Sequence, residues 1–281
     1  MTIDLHAHST ASDGTESPAE LMAAAGAAGL TMIALTDHDT TTGWEEAAEA
    51  AVHEGVGLVR GIEISCSRAY RSIHLLGYLP DPDDPHLAVE LARARDSRVT
   101  RMDRMIERMA RDGIPITVAQ VRAQLAPGAT LGRPHLADAL VAAGVVQSRD
   151  DAFRDLLHDG SRYYVGHYAP DPVAAIELVR GAGGVPVLAH PFAMRTATIT
   201  DEMVEELTAA GLAGLEAHHR DHEPADVERA LELARRHDLV VTGSSDYHGT
   251  GKLNRLGEHT TEPHEWLRLV EQSHGVEVIE A

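Results

Sequence analysis

Repeatedly along this chain a short, apolar, β-rich run ends in a histidine or an acidic residue and gives way to a helical pattern. The first run, about 2–8, contains Asp4-Leu5-His6-Ala7-His8. Alternate residues of a strand share a face, so His6 and His8 present two imidazoles on the same side. Further runs are 32–36, leading into Asp37-His38-Asp39, then 57–65 with Glu63 and 72–79 with His74. Three more follow: 185–190, ending in His190; 214–218, followed by His219; and 239–243, leading into Ser244-Ser245-Asp246-Tyr247-His248. Helix signals stand between them, such as Ser17-Pro18 and Asp171-Pro172 at starts and Gly29 and Gly55 at stops. Repeated βα units predict a parallel sheet. Metal-ligand residue types at successive strand ends predict a barrel, whose site is built at the C-terminal ends of its strands.

The alternation breaks once. Pro80-Asp81-Pro82-Asp83-Asp84-Pro85 is a turn-rich boundary. A long helical pattern follows through Leu87, Leu91, Met102, Met105, Ile106 and Met109, with shorter ones at about 118–125, 134–143 and 149–158. The expectation is a helical insertion over 83–165, carrying substrate contacts, set into a barrel domain formed by 1–82 and 166–281. The methionine stripe reads as core packing.

Composition narrows the function classes. A chain of 281 residues suits one β/α barrel, which typically takes about 250. The net charge of −20 and scarce aromatics argue against a surface that tracks a long nucleic-acid duplex, but leave room for a small anionic ligand. Cys66 is the only cysteine, which excludes an internal disulfide and fits a reducing, cytoplasmic compartment. No apolar run reaches the roughly 18 residues of a membrane span. Histidine is abundant, with 18 residues, and Lys252 is the single lysine.

Imidazole is the commonest metal ligand, and carboxylates complete mixed sites for divalent transition metals. Singly, each candidate has a plain alternative: His190 before Pro191 could be a satisfied core histidine, and Glu63 could pair with an arginine. Together His6, His8, Asp13, His38, Glu63, His74, His190, Asp246 and His248 are too consistently placed for independent explanations, and they predict a multinuclear metal site.

His6-Ala-His8 with Asp13, Thr36-Asp37-His38-Asp39, Gly61-Ile62-Glu63, Ile73-His74, Ala189-His190-Pro191 and Ser245-Asp246-Tyr247-His248 resemble the PHP (polymerase and histidinol phosphatase) family. The resemblance spans everything but the insertion. It implies an α/β fold, a distorted seven-stranded β/α barrel, and a cluster of two or three divalent ions, Mn, Fe or Zn. By resemblance, His6, His8, Glu63 and Asp246 hold one ion; Glu63 bridges to a second, completed by His74 and His190; Asp13, His38 and His248 hold a third. Asp37 is expected to orient His38 rather than bind metal.

Inside the insertion, Leu131-Gly132-Arg133-Pro134-His135 places an arginine and a histidine at a helix start, where free N–H groups favour an anion. The alternative is a solvated arginine and an ordinary first-turn histidine. The same Gly-Arg-Pro-His segment occurs in the PHP branch that dephosphorylates nucleoside 3′,5′-bisphosphates and trims short oligoribonucleotides. On that resemblance the expectation is a phosphoesterase using metal-bound hydroxide on a small phosphorylated substrate, with Arg133 and His135 holding phosphate. Lys252 and His219, with His218 beside it, are further candidate substrate contacts; the alternatives are a solvated lysine and packed histidines. Histidinol-phosphate hydrolysis and a non-catalytic metal- or nucleotide-sensing module are the rival readings.

Overall fold

Every strand lies beside the one before it in the chain. The computed structural model describes residues 1–69, 71–193 and 199–281, and in it one seven-stranded sheet runs β1 (Ile3–Ala7), β2 (Met32–Leu35), β3 (Gly57–Arg68), β4 (Arg71–Tyr78), β5 (Val185–Leu188), β6 (Gly214–His218), β7 (Val240–Gly243). The sheet curls almost into a closed barrel. Ala7 bridges Tyr247 just beyond β7, with the His8 N–H donating to the Tyr247 carbonyl at 2.8 Å. Asp4 ties the same seam by accepting from the Ser245 N–H at 3.0 Å.

The expected all-parallel sheet is corrected at β4, which is antiparallel to both β3 and β5, while the other pairs are parallel. The reason is chain length. A parallel return needs a dozen or more residues, and β4 starts almost where β3 ends. The reversal decides how the site is assembled. His74 lies in the first half of β4, opposite Ser65 of β3, so it reaches the end of the barrel where the parallel strands finish.

Helices α1 (Pro18–Ala27) and α2 (Trp44–Glu54) cover the first strands. Ser17 and Glu20 cap α1 reciprocally, and α2 stops at Gly55 with φ of 66°. Between β4 and β5 lie α3 (Pro85–Arg111), α4 (Val118–Arg122), α5 (Arg133–Ala142) and α6 (Arg149–Ala152), then a π-helical turn, Phe153–Leu157. A single helix was expected over 149–158; the π turn instead leaves Leu157 buried, with its carbonyl accepting from Arg133. Beyond it come α7 (Pro172–Gly181), capped by Asp171, then α8 (Asp201–Ala209), α9 (Pro224–His237) and α10 (Pro263–Val270).

The helix α3 joins two cores. Leu87 and Leu91 pack with Ile62, Ile64, Leu75, Ile176 and Val179 of the barrel. Met102, Met105, Ile106 and Met109 pack instead with Leu136, Leu140 and Leu157. A helix of 27 residues spans about 40 Å, long enough to serve both clusters. The methionines are therefore core residues of the helical segment.

Candidate metal centre

Nine side chains from six strand ends and the 9–14 loop come together, with the carboxylate of one of them, Glu63, at the centre. Its Oε2 lies 3.3 Å from His6 Nε2, 3.1 Å from His8 Nε2 and 3.1 Å from His38 Nδ1. Its Oε1 lies 2.6 Å from His74 Nδ1 and 3.0 Å from His190 Nε2. Asp246 Oδ1 faces the first pair of imidazoles, 3.6 Å from His6 and 3.4 Å from His8. On the other side of His8, Asp13 lies 3.3 Å from His248 Nε2 and 3.8 Å from His38 Nε2. The donor atoms of His6, His8, Glu63 and Asp246 all lie within 4.8 Å of one another, as do those of His8, Asp13, His38 and His248, and those of His38, Glu63 and His74.

Local backbone geometry aims these groups. His190 and Asp246 lie two and three residues beyond the ends of β5 and β7, and both take positive φ, 25° and 51°. Such values are uncommon outside glycine and mark positions over-determined by their surroundings. The surroundings are visible: the His190 N–H donates to Glu216 Oε2 at 2.7 Å, and Asn254 Nδ2 holds the Ser245 carbonyl.

The outward-facing nitrogens settle the tautomers. Glu216 Oε1 accepts a hydrogen bond from His6 Nδ1 at 3.1 Å. Ser12 Oγ donates to Asp37 Oδ1 at 2.5 Å, so it can only accept from His8 Nδ1, at 3.3 Å. The Asp246 carbonyl accepts from His248 Nδ1 at 2.8 Å. In its neutral form each of these three imidazoles therefore turns a bare Nε2 inward, the arrangement a metal ligand requires. Asp37 acts, through Ser12, on His8 and not on its sequence neighbour His38.

Electrostatics agree. Burial raises carboxyl pKa values, yet the imidazoles around Glu63 (His38, His74, His6) and Asp13 (His248, His38) hold those two well below the usual range. For Asp246 the same opposition to burial comes chiefly from Lys252 and His248. Burial pushes His38 down to about 3 and His248 to about 4. On His6 and His8 the same burial is outweighed by Glu63 and Asp246, with Glu216 adding for His6 and Asp13 for His8; His6 rises well above its ordinary value and His8 to about 9. Ionised carboxylates among these imidazoles fit divalent transition ions, whose binding would displace the protons that the carboxylates hold on His6 and His8.

The other candidates sit around this cluster. Lys252 Nζ lies 2.6 Å from Asp246 Oδ2. His219 is buried, its Nε2 3.6 Å from the same oxygen; the Asp221 N–H donates to its Nδ1, leaving the proton on Nε2. His218 is only half-buried, because the β6 register shifts between Glu216 and His218. His135 is buried at the start of α5 within electrostatic reach of Asp13, its Nδ1 accepting from the Gly132 N–H at 3.0 Å. Arg133 is held by the segment it belongs to: Nη1 donates to the Leu157 carbonyl at 2.8 Å and to Asp159 Oδ1 at 2.5 Å. Cys66 is buried, and burial with nearby carboxylates pushes its thiol pKa well up, which makes it inert.

Sequence reading did not find Glu216 as a functional group, nor Asp4 or the Asp39–Arg98 pair. Glu216 and Asp4 have full burial in common, and a lone acid within an apolar strand was the available signal.

Comparison with known proteins places the chain. The PHP domain model matches residues 4–96. A 3′,5′-nucleoside bisphosphate phosphatase of Chromobacterium violaceum is 34% identical over 259 residues, 92% of this chain and 91% of that protein. The chain belongs to the PHP family. A 5′-3′ exoribonuclease of Haemophilus influenzae is 34% identical to this PHP chain over 246 residues, covering 87% of it and 89% of the relative. The solved structure of a metal-dependent phosphoesterase from Bifidobacterium adolescentis superposes with a TM-score of 0.94 at 43% identity, over 98% of this chain and 96% of that one. The PHP chain is a metal-dependent phosphoric ester hydrolase, as its motifs imply. Among the described residues no helix is long and apolar enough to cross a membrane.

Proposed function

We propose that this PHP phosphoesterase removes the 3′-phosphate of nucleoside 3′,5′-bisphosphates, or trims short 5′-phosphorylated oligoribonucleotides. The observation that carries the reading is Glu63, whose two oxygens face five imidazoles within 3.3 Å. In this reading the donors form three sets, His6, His8, Glu63 and Asp246; Glu63, His74 and His190; and Asp13, His38 and His248, so two of three ions (Mn, Fe or Zn) would share the Glu63 carboxylate. Bound there, divalent ions supply positive charge against the reacting phosphoryl group and lower the pKa of water.

The remaining steps belong to the chain. Its net charge of −20 repels anions at long range, so phosphate must be drawn in by local donors. Lys252 and the His219 Nε2–H flank Asp246 and can donate to phosphoryl oxygens. His135 and Arg133 come from the helical segment 83–165, Arg133 through the guanidinium edge that Asp159 leaves free. In this reading that segment is a substrate-recognition insertion on the barrel formed by 1–82 and 166–281. The single buried thiol suits a cytoplasmic enzyme.

The deciding experiment measures phosphate release from nucleoside mono- and bisphosphates, short RNA and histidinol phosphate by metal-loaded protein. Preference for the bisphosphate or for 5′-phosphorylated RNA is expected. Preference for histidinol phosphate, or no turnover of any phosphate ester, would overturn the reading.

A further inference from the structure

Beside the metal-type cluster lies a buried arginine with no counter-charge. Arg101 is 4% exposed, and among the described residues no carboxylate lies within ion-pairing distance of it. Its neighbours are spoken for. Arg98, one turn earlier on α3, pairs with Asp39 at 2.7 Å, and Arg133 pairs with Asp159 at 2.5 Å. Arg101 Nη1 instead meets His167 Nδ1 at 3.2 Å.

That contact fixes the proton. A guanidinium can only donate, so His167 Nδ1 accepts, and the neutral ring carries its hydrogen on Nε2. His167 Nε2 and Arg101 Nε are both buried without a hydrogen-bond partner. Two orphaned donors and one uncompensated positive charge therefore share a wall between α3 and the segment before α7. An unpaired buried charge is strongly unfavourable, and unmet buried donors add to that. What satisfies all three together is an anion with several acceptor oxygens.

The place is informative. Arg98 Nη2 also donates to Ser65 Oγ at 2.6 Å, and Ser65 lies opposite His74 in the β3–β4 ladder. His74 and Arg133 both lie within electrostatic reach of His167. The wall therefore borders the His74 side of the cluster, on the face of α3 that turns toward Arg133.

We propose that Arg101 and His167 form a second anion subsite, which holds a non-reacting phosphate group of the substrate while another phosphate meets the metal cluster. The inference rests on the reading of a substrate with two phosphate groups, and it gives that reading a molecular ruler. Arg133 stands at the rim of this subsite and Arg101 at its depth.

The test uses metal-loaded wild type, Arg101→Met and Arg101→Lys, with metal content checked by elemental analysis. Activity is compared on a nucleoside 3′,5′-bisphosphate and on the matching 3′-monophosphate. Arg101→Met should lower kcat/KM on the bisphosphate by about ten- to a hundredfold, and change the monophosphate by less than about twofold. Arg101→Lys should recover part of the loss. Arg101→Met should also raise the thermal midpoint of the ligand-free protein, because it removes an unpaired buried charge, an effect a purely structural arginine would reverse. Equal losses on both substrates, no loss on either, or a lowered midpoint would overturn the subsite. If wild type turns over no nucleotide, the substrate reading falls separately. Sulfate titrated against hydrolysis of an aryl phosphate then decides: weaker sulfate inhibition in Arg101→Met upholds the subsite, and identical curves overturn it.

Discussion

Glu216 Oε1 lies 3.1 Å from His6 Nδ1, while its Oε2 accepts from the His190 N–H at 2.7 Å. One buried carboxylate on β6 thus orients ligand-type groups on β1 and after β5. Ser244 Oγ also donates to it, a third hydrogen bond that holds the carboxylate in place. Partners of this kind fix ring orientation and basicity, and losing one typically weakens metal binding by about 10- to 100-fold.

Glu216→Gln should therefore lower metal affinity by about that factor while leaving the fold intact. Competition with a metal chelator measures the affinity, and circular dichroism checks the fold. Unchanged metal binding would show that His6 is oriented by packing alone.

Glu63→Gln should be more damaging than any single peripheral substitution such as His74→Ala. Glu63 faces five imidazoles through both oxygens, and an amide offers one acceptor and one competing donor. The expected result is loss of at least one ion per chain by elemental analysis, and phosphate release below that of His74→Ala. Metal content equal to wild type would refute a shared-carboxylate centre.

Much of this was legible because ligand types recur at strand ends, and a strand's two-residue period shows which of them share a face. His6 and His8 needed nothing more. The reversal of β4 was readable in principle from the short connection after Arg68, but the βα rhythm on either side obscured it. Glu216 and Arg101 were not legible, for a physical reason. A buried charge announces itself through its partner, and Glu216 meets His6 across 210 residues, a pairing that only the folded barrel creates. Arg101 looks, in sequence, like any arginine of an amphipathic helix. Its isolation appears only once Arg98 is seen to occupy Asp39.

Chelation should abolish phosphate release and lower the thermal midpoint, and re-addition of Mn, Fe or Zn should restore both. An ion that binds only the native state stabilises it by about 2.7 kcal/mol at a hundredfold excess over its Kd. Full activity in protein carrying less than about a tenth of an ion per chain would refute metal dependence.

The last prediction concerns pH and His167. Burial, then the charges of Arg101, Arg98, Arg133 and His74, push its pKa down to about 2 from an ordinary 6.5. The folded chain therefore keeps this ring neutral, while the unfolded chain takes up a proton below 6.5. Its contribution to stability is fully present above pH 6.5 and is lost as pH falls toward the folded value. The slope is about 1.4 kcal/mol per pH unit for one proton. Denaturant unfolding of metal-free protein at pH 7 and pH 5 should show wild type losing roughly 1–2 kcal/mol more than His167→Asn over that interval, allowing for partial solvent screening. His38 and His248 also titrate low, but they are common to both proteins and cancel in the comparison. Sulfate should narrow the difference, since an anion beside His167 favours its protonated form. Identical pH dependence in the two proteins would mean that His167 titrates near its ordinary value, exposed to water.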